Sequence, residues 1–220
     1  MKKISTLILA LITFTAFAGK VNVTESRENI GGGNNNALVV TLYEVSVDDA
    51  MKEFKGIMKD YDAKVSTKND ELFGDKALIK KISNNTIDLY AKAIKIKDGE
   101  TKFIFAINLG GAFCNSSDHK EQYKVAKEIL ENFAVKVQKD AIGVQLAAAQ
   151  KILDKMTDQQ KDLEKKNANL NDDIKNWNEK IKKAQDDLKT NGDDQVKKKA
   201  EIETQTKAVN VVKDKMKAVE

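Results

Sequence analysis

Residues 142–188, IGVQLAAAQKILDKMTDQQKDLEKKNANLNDDIKNWNEKIKKAQDDL, decide how the last third of this chain folds. Ile142, Leu146, Ala149, Leu153, Met156, Gln160, Leu163, Asn167, Leu170, Ile174, Trp177, Ile181, Ala184 and Leu188 alternate steps of four and three. An apolar stripe averaging 3.5 residues stays on one side of a helix only if that helix supercoils, which is the signature of a coiled-coil seam. Asn191-Gly192-Asp193-Asp194 then reads as a turn, and a second stripe follows at Ile202, Gln205, Val209, Val212, Met216 and Val219. Folded back about that turn, Ile181 faces Ile202, Ile174 faces Val209, Leu170 faces Val212, Asn167 faces Met216 and Leu163 faces Val219. The expectation is a C-terminal helical hairpin over residues 142–220, with Asn167 pinning its register.

That hairpin leaves residues 142–160 without a partner of its own. Either the first helix runs straight, or it breaks near residues 154–157, where Thr157 and Gln160 form a possible capping box. If it is straight, Ile142, Leu146, Leu153 and Met156 need another surface, and these four are the candidate interaction residues.

Upstream, residues 37–45 (ALVVTLYEV) are rich in β-branched side chains and predict a buried strand. Ser46 and Asp49 form a capping box that opens a helix to about Tyr61, with Ala50, Met51, Phe54 and Ile57 or Met58 on its apolar face. Strand signals follow at residues 63–67, 77–82, 86–96 and 101–109, with Asp98-Gly99 as a hairpin turn and a shift of face between Ala93 and Ile94 that predicts a bulge or a twist. Asp118 and Glu121 open a second helix whose stripe is Tyr123, Ala126, Leu130, Phe133 and Val137. Residues 21–26 read as a short edge strand. Residues 31–36 (GGGNNN) read as a flexible loop, since no Lys-Ser/Thr pair follows to make them a phosphate cradle. The fold class expected is α+β: an antiparallel sheet with two covering helices over residues 19–141, then the coiled-coil hairpin.

The N-terminus bounds the location. Lys2 and Lys3, an apolar run over residues 4–17 and the small residues of Ala16-Phe17-Ala18 predict a signal peptide over residues 1–18, cleaved after Ala18. The run is too short for a spanning helix, so no stable membrane span is expected after cleavage, and the destination is periplasmic or secreted. The net charge of +4 falls to +2 without Lys2 and Lys3. Residues 19–141 hold 19 basic and 19 acidic side chains, and residues 142–220 hold 17 and 15. Neither part has the one-signed field that binds phosphate backbones, so nucleic acid is not an expected partner.

Together, the sequence MKKISTLILALITFTAFA and the order strand–helix–four strands–helix over residues 37–140 resemble uncharacterised secreted proteins of Bacteroidota with domains like the TATA-binding protein (TBP-like). The resemblance implies a TBP-like β-α-β4-α order for the domain. It implies no site residue, and the stalk lies outside it.

Chemistry-bearing residues are few. Cys114 is the only cysteine and His119 the only histidine, and they lie five positions apart. They are the one pair that resembles a nucleophile and base, but no acid is clearly placed to orient the imidazole, although Asp118 is adjacent. One His and one Cys do not make a zinc site, and the Asp172-Asp173, Asp186-Asp187 and Asp193-Asp194 pairs lack calcium-loop spacing. No catalytic residue, metal or cofactor is therefore predicted. The function expected is that of an exported, non-enzymatic envelope protein whose coiled-coil arm mediates self-association or binds another envelope protein. A holdase chaperone similar in outline to Skp-like proteins is the alternative, though their arms are strongly basic. An adaptor hairpin that docks on an outer-membrane channel ranks lower, because such hairpins are inserted within a β-rich domain.

Overall fold

The computed structural model describes residues 21–218. The expected signal peptide and cleavage point, and Val219, expected to pair with Leu163, lie outside the described residues. The elements are β1 (Thr24–Ile30), β2 (Gly33–Tyr43), α1 (Val47–Asp60), β3 (Lys64–Lys68), β4 (Glu71–Ala77), β5 (Ile87–Lys97), β6 (Glu100–Asn108) and α2 (Lys120–Lys217). The fold is α+β, with one six-stranded antiparallel sheet in the order β1-β2-β6-β5-β4-β3. The chain divides into two compact units after Ala149.

In the first unit, alternation sorts side chains to the two faces of the sheet. Leu38, Val40 and Leu42 of β2, Phe103, Phe105 and Ile107 of β6, and Leu89 and Ala91 of β5 meet the two helices in one core. Phe54 of α1 sits at its centre, with ring centroids 4.9 Å from Phe103, Phe105 and Phe133. The α2 stripe supplies Ala126, Leu130, Phe133, Ala134 and Val137, all buried. On the opposite face Ile30, Ala37, Ile104 and Ala106 form a smaller cluster, flanked by Val39, Tyr90 and Phe113.

Helix α1 begins as its sequence predicts. Ser46 is extended, and its Oγ accepts the Asp49 N–H at 3.0 Å and donates to the Asp49 carboxylate at 2.6 Å. The β5–β6 hairpin turns at Asp98-Gly99, with a register shift between Lys95 and Lys97. Of the two alternatives, bulge or twist, this irregularity matches the bulge, about two residues beyond the shift of face. Around it Ile94 and Ile96 are exposed.

Four local expectations are corrected. Residues 31–36 are not a flexible loop: Gly31 and Gly32, at φ 62° and 79°, make a two-residue turn, and Gly33 already starts β2. The Asn35 side chain fixes this by donating to the Ile30 carbonyl at 2.7 Å. Residues 77–82 are not a strand. The strand is Glu71–Ala77, joined to β3 by an Asn69-Asp70 turn with both residues at positive φ. Ile79 and Ile82 are buried because a turn tucks them in, with the Ile82 N–H on the Ile79 carbonyl at 2.7 Å. The entry to α2 is organised by Asn115 rather than by an Asp118–Glu121 box. The Asn115 Oδ1 accepts the N–H groups of Ser117 and Asp118 at 3.0 and 2.8 Å, and α2 starts at Lys120.

The fourth correction is the largest. Among the described residues there are two helices, and the hairpin's return helix is not separate: α2 runs unbroken for 98 residues. Residues 191–194 are helical. Gln195 donates to the Asn191 side chain, and Thr190 Oγ1 to the Asp186 carbonyl at 3.1 Å, both one helical turn apart. Nor does the helix break near residues 154–157, where Thr157 Oγ1 donates to the Leu153 carbonyl at 2.9 Å. The physical reason is twofold. One Gly within a helix costs only about 1 kcal/mol, and no proline interrupts the chain. The seam also keeps its phase across the supposed turn. Leu188, Asn191, Gln195, Lys198 and Ile202 continue the steps of three and four without a slip.

Candidate interaction surface

The candidate seam residues divide between the two units. Ile142 and Leu146, in the first, are 52% and 66% exposed, while the neighbouring Ala141 packs against the domain core and the Gln145 side chain donates to Glu44 at 3.1 Å. The structure therefore places the domain's last core contact at residue 141 and leaves the stripe after it open.

Leu153 and Met156 belong to the second unit, where every described residue is exposed. Leu163, Ile174, Trp177 and Ile181 stand between 52% and 62% open. The ion pairs here are local and exposed, such as Lys161–Asp158 and Lys197–Asp194. Pairs of this kind contribute only tenths of a kcal/mol. An isolated helix of such composition draws little from propensity in water, and most helical stability comes from burying a face. The seam is the only continuous apolar feature available for that.

Seam members were missed by reading the sequence as two separate stripes. Asn191, Gln195 and Lys198 occupy the same positions as the apolar residues, and counting fours and threes past Leu188 finds them.

Cys114 and His119 do not form an activated pair. The thiol is buried, and burial together with the Glu25 carboxylate pushes it up to about 11, the opposite direction to a reactive cysteine. His119 Nδ1 is buried without a hydrogen-bond partner. Among the described residues no three His, Cys, Asp or Glu side chains group as metal ligands would, and no helix is long and apolar enough to cross a membrane.

One further concavity lies over the outer sheet face, about 450 Å³ in volume and lined by Gly31, Ser66, Lys68, Glu71, Phe73 and Tyr90 among others. Its carboxylate is already used: Glu71 accepts the Gly31 N–H at 3.1 and 3.2 Å. The Tyr90 hydroxyl is pushed up by burial and then by Asp88, Glu71 and Asp75, so it stays a neutral donor. The Phe73, Tyr90 and Phe113 rings form a ladder at 5.1 and 5.8 Å, which stiffens this face.

Comparison with known proteins returns no match to a family model, a curated protein or a solved structure.

Proposed function

We propose that this chain is an exported, non-enzymatic protein of the cell envelope whose helical arm mediates self-association or binds a partner protein. The observation that carries this is the second unit itself. Residues 150–217 form one helix, every residue of which is exposed, along a seam that keeps one heptad phase. Monomeric proteins seldom leave a contiguous apolar stripe of this length uncovered, and such stripes mark interfaces. Export is supported by the basic start, short apolar run and small residues of residues 1–18. A TBP-like domain is part of the same proposal, supported by the order β2-α1-β3-β4-β5-β6-α2, with β1 as an added edge strand.

The test is a pull-down from envelope extract with the mature chain and with a Leu163→Lys, Leu170→Lys variant. Selective recovery of the chain itself or of a discrete partner, lost in the variant, supports the proposal. Equal recovery with both chains contradicts it.

A holdase role is the second reading, favoured by the same open apolar stripe. It predicts that the chain suppresses aggregation of an unfolded outer-membrane protein at stoichiometric amounts. The near-neutral arm gives such a client no electrostatic attraction.

A further inference from the structure

The proposal above leaves open what covers the seam, and this inference rests on it. We infer that the occupant is a second copy of this chain, paired with the first as a parallel, in-register, two-stranded coiled coil over residues 153–216.

The helix itself sets the first condition. A straight α-helix drifts about 20° per heptad against a 3.5-residue repeat. Between residues 153 and 216 the seam makes nine heptads without a slip, so on a straight helix it would wind about halfway round the cylinder. No flat or compact surface follows such a path. A second helix carrying the same repeat does, by supercoiling with it, and this chain supplies one.

Residue choice along the seam then bears on strand number and register. With Leu153 as position a of the heptad, Ile174, Ile181, Ile202 and Val209 fall at a, and Leu163 and Leu170 at d. β-Branched residues at a with Leu at d favour two parallel strands. Asn167 falls at a, where a buried amide pairs with its own copy and fixes register at some cost in stability. In register, every apolar seam residue meets its own counterpart. The twelve large apolar side chains of the seam are each 38–73% exposed, so pairing would bury on the order of 1,000 Å² per chain, above the roughly 800 Å² per partner of a stable interface.

Charges beside the seam are compatible with the parallel form. In a parallel pair, a g residue faces the e residue five positions later on the other strand, so Asp194 faces Lys199 of the second copy, twice by symmetry. No like-charged g–e pair occurs in this arrangement. The antiparallel alternative that meshes Leu153 with Val212, Met156 with Val209, Leu163 with Ile202 and Trp177 with Leu188 sets Asp173 beside Asp194, but also Lys166 beside Glu201, Lys180 beside Asp187 and Glu164 beside Lys199, of the second copy. Direction therefore rests on Asn167: antiparallel layers pair a with d, so its amide meets its own copy only in the parallel form. Gln160, Asn191, Gln195, Lys198 and Gln205 are further polar layers of the parallel form; Lys198 at d is the one that carries a charge, and it keeps its ammonium in water by extending its stem along the groove.

Cysteine cross-linking tests direction, register and occupant together in the full mature chain. Leu170→Cys and Met216→Cys are made as separate variants, with the wild type, whose Cys114 is buried, as control. After mild oxidation, each variant alone gives a covalent dimer in high yield, the wild type gives little, and a mixture of the two gives no increase in the mixed 170–216 species over chance. Light scattering of the reduced wild type gives twice the chain mass. A dimer mass without cross-linking in either single variant, whether or not the mixture cross-links, overturns the parallel arrangement while leaving self-association intact. A trimer mass overturns the two-stranded state. A monomer without cross-links overturns the second copy as occupant, and the pull-down then decides separately whether the arm binds another protein.

Discussion

Phe54→Ala should destabilise the sheet domain selectively, and the size of the effect can be worked from its surroundings. Phe54 is 1% exposed and touches three other rings, Phe103, Phe105 and Phe133, at centroid distances of 4.9 Å. These rings come from β6 and α2, so the site joins both helices to the sheet and has little freedom to collapse. Truncating a buried Phe to Ala costs about 3–5 kcal/mol, and a site that cannot collapse lies at the upper end. Small domains hold about 5–15 kcal/mol in total. With a urea slope of about 2 kcal/mol/M, the midpoint should fall by roughly 2 M. The assay can follow each unit separately. Tyr43, Tyr61, Tyr90 and Tyr123 all belong to the first unit, while Trp177 is the only tryptophan and sits in the second. Tyrosine near-ultraviolet dichroism should shift by the full amount in the variant, and Trp177 emission should keep its transition. A tyrosine midpoint shift below about 0.5 M would refute the packing described for this ring cluster.

Three smaller perturbations follow from the same structure. Gly31→Ala should cost about 1–3 kcal/mol, because Gly31 sits at φ 62° and a Cβ there would lie 2.8 Å from the Phe113 ring, whereas Gly32→Asn, facing open space in a conformation Asn tolerates, should cost a few tenths; thermal melts compare the two. Thr101→Val should destabilise by about 1–3 kcal/mol in chemical denaturation, since it removes the buried 2.7 Å hydrogen bond to the Val45 carbonyl and leaves that acceptor unpaired. The Cys114 thiol, raised from 9.0 to about 11, keeps its proton longer in the folded chain, so its contribution is fully present below pH 9 and is lost as pH rises through about 11. The wild type should lose at most about 2–3 kcal/mol relative to Cys114→Ala across that window, and thiol-reactive dye at pH 8 should label it only after unfolding.

What was legible in the sequence was what is decided locally. Ser46 and Asp49 cap α1 through bonds three residues apart, and Asp98-Gly99 closes a two-residue turn. The apolar stripe from Ala126 to Val137 is likewise settled by helical periodicity. Strand β4 was not legible, because ELFGDKA carries a glycine and two acids and owes its place to pairing with β5. Gly74 there lies under α1, where a Cβ would come within 3.2 Å of Ala63 and 3.3 Å of the Met58 sulfur, a demand visible only in three dimensions. Residues 77–82 misled because ALIKKI has the composition of a strand, while its two isoleucines are buried by a turn. At residues 191–194 local turn propensity, about 1 kcal/mol for the glycine, competed with a heptad phase that runs straight through, and the helix won. The candidate surface was legible as a pattern. Its extent was not, because polar Asn191, Gln195 and Lys198 hide the continuity.

The central claim is that the arm's seam is an interface, and sedimentation equilibrium of the chain from residue 19 onward tests it most directly. Samples from about 1 to 100 μM should give a mass twice that of the chain, and Leu163→Lys with Leu170→Lys should return it to the monomer while the tyrosine signal of the sheet domain is unchanged. A wild-type chain that stays monomeric at about 100 μM, with Trp177 emission unchanged on adding envelope extract, would contradict the account.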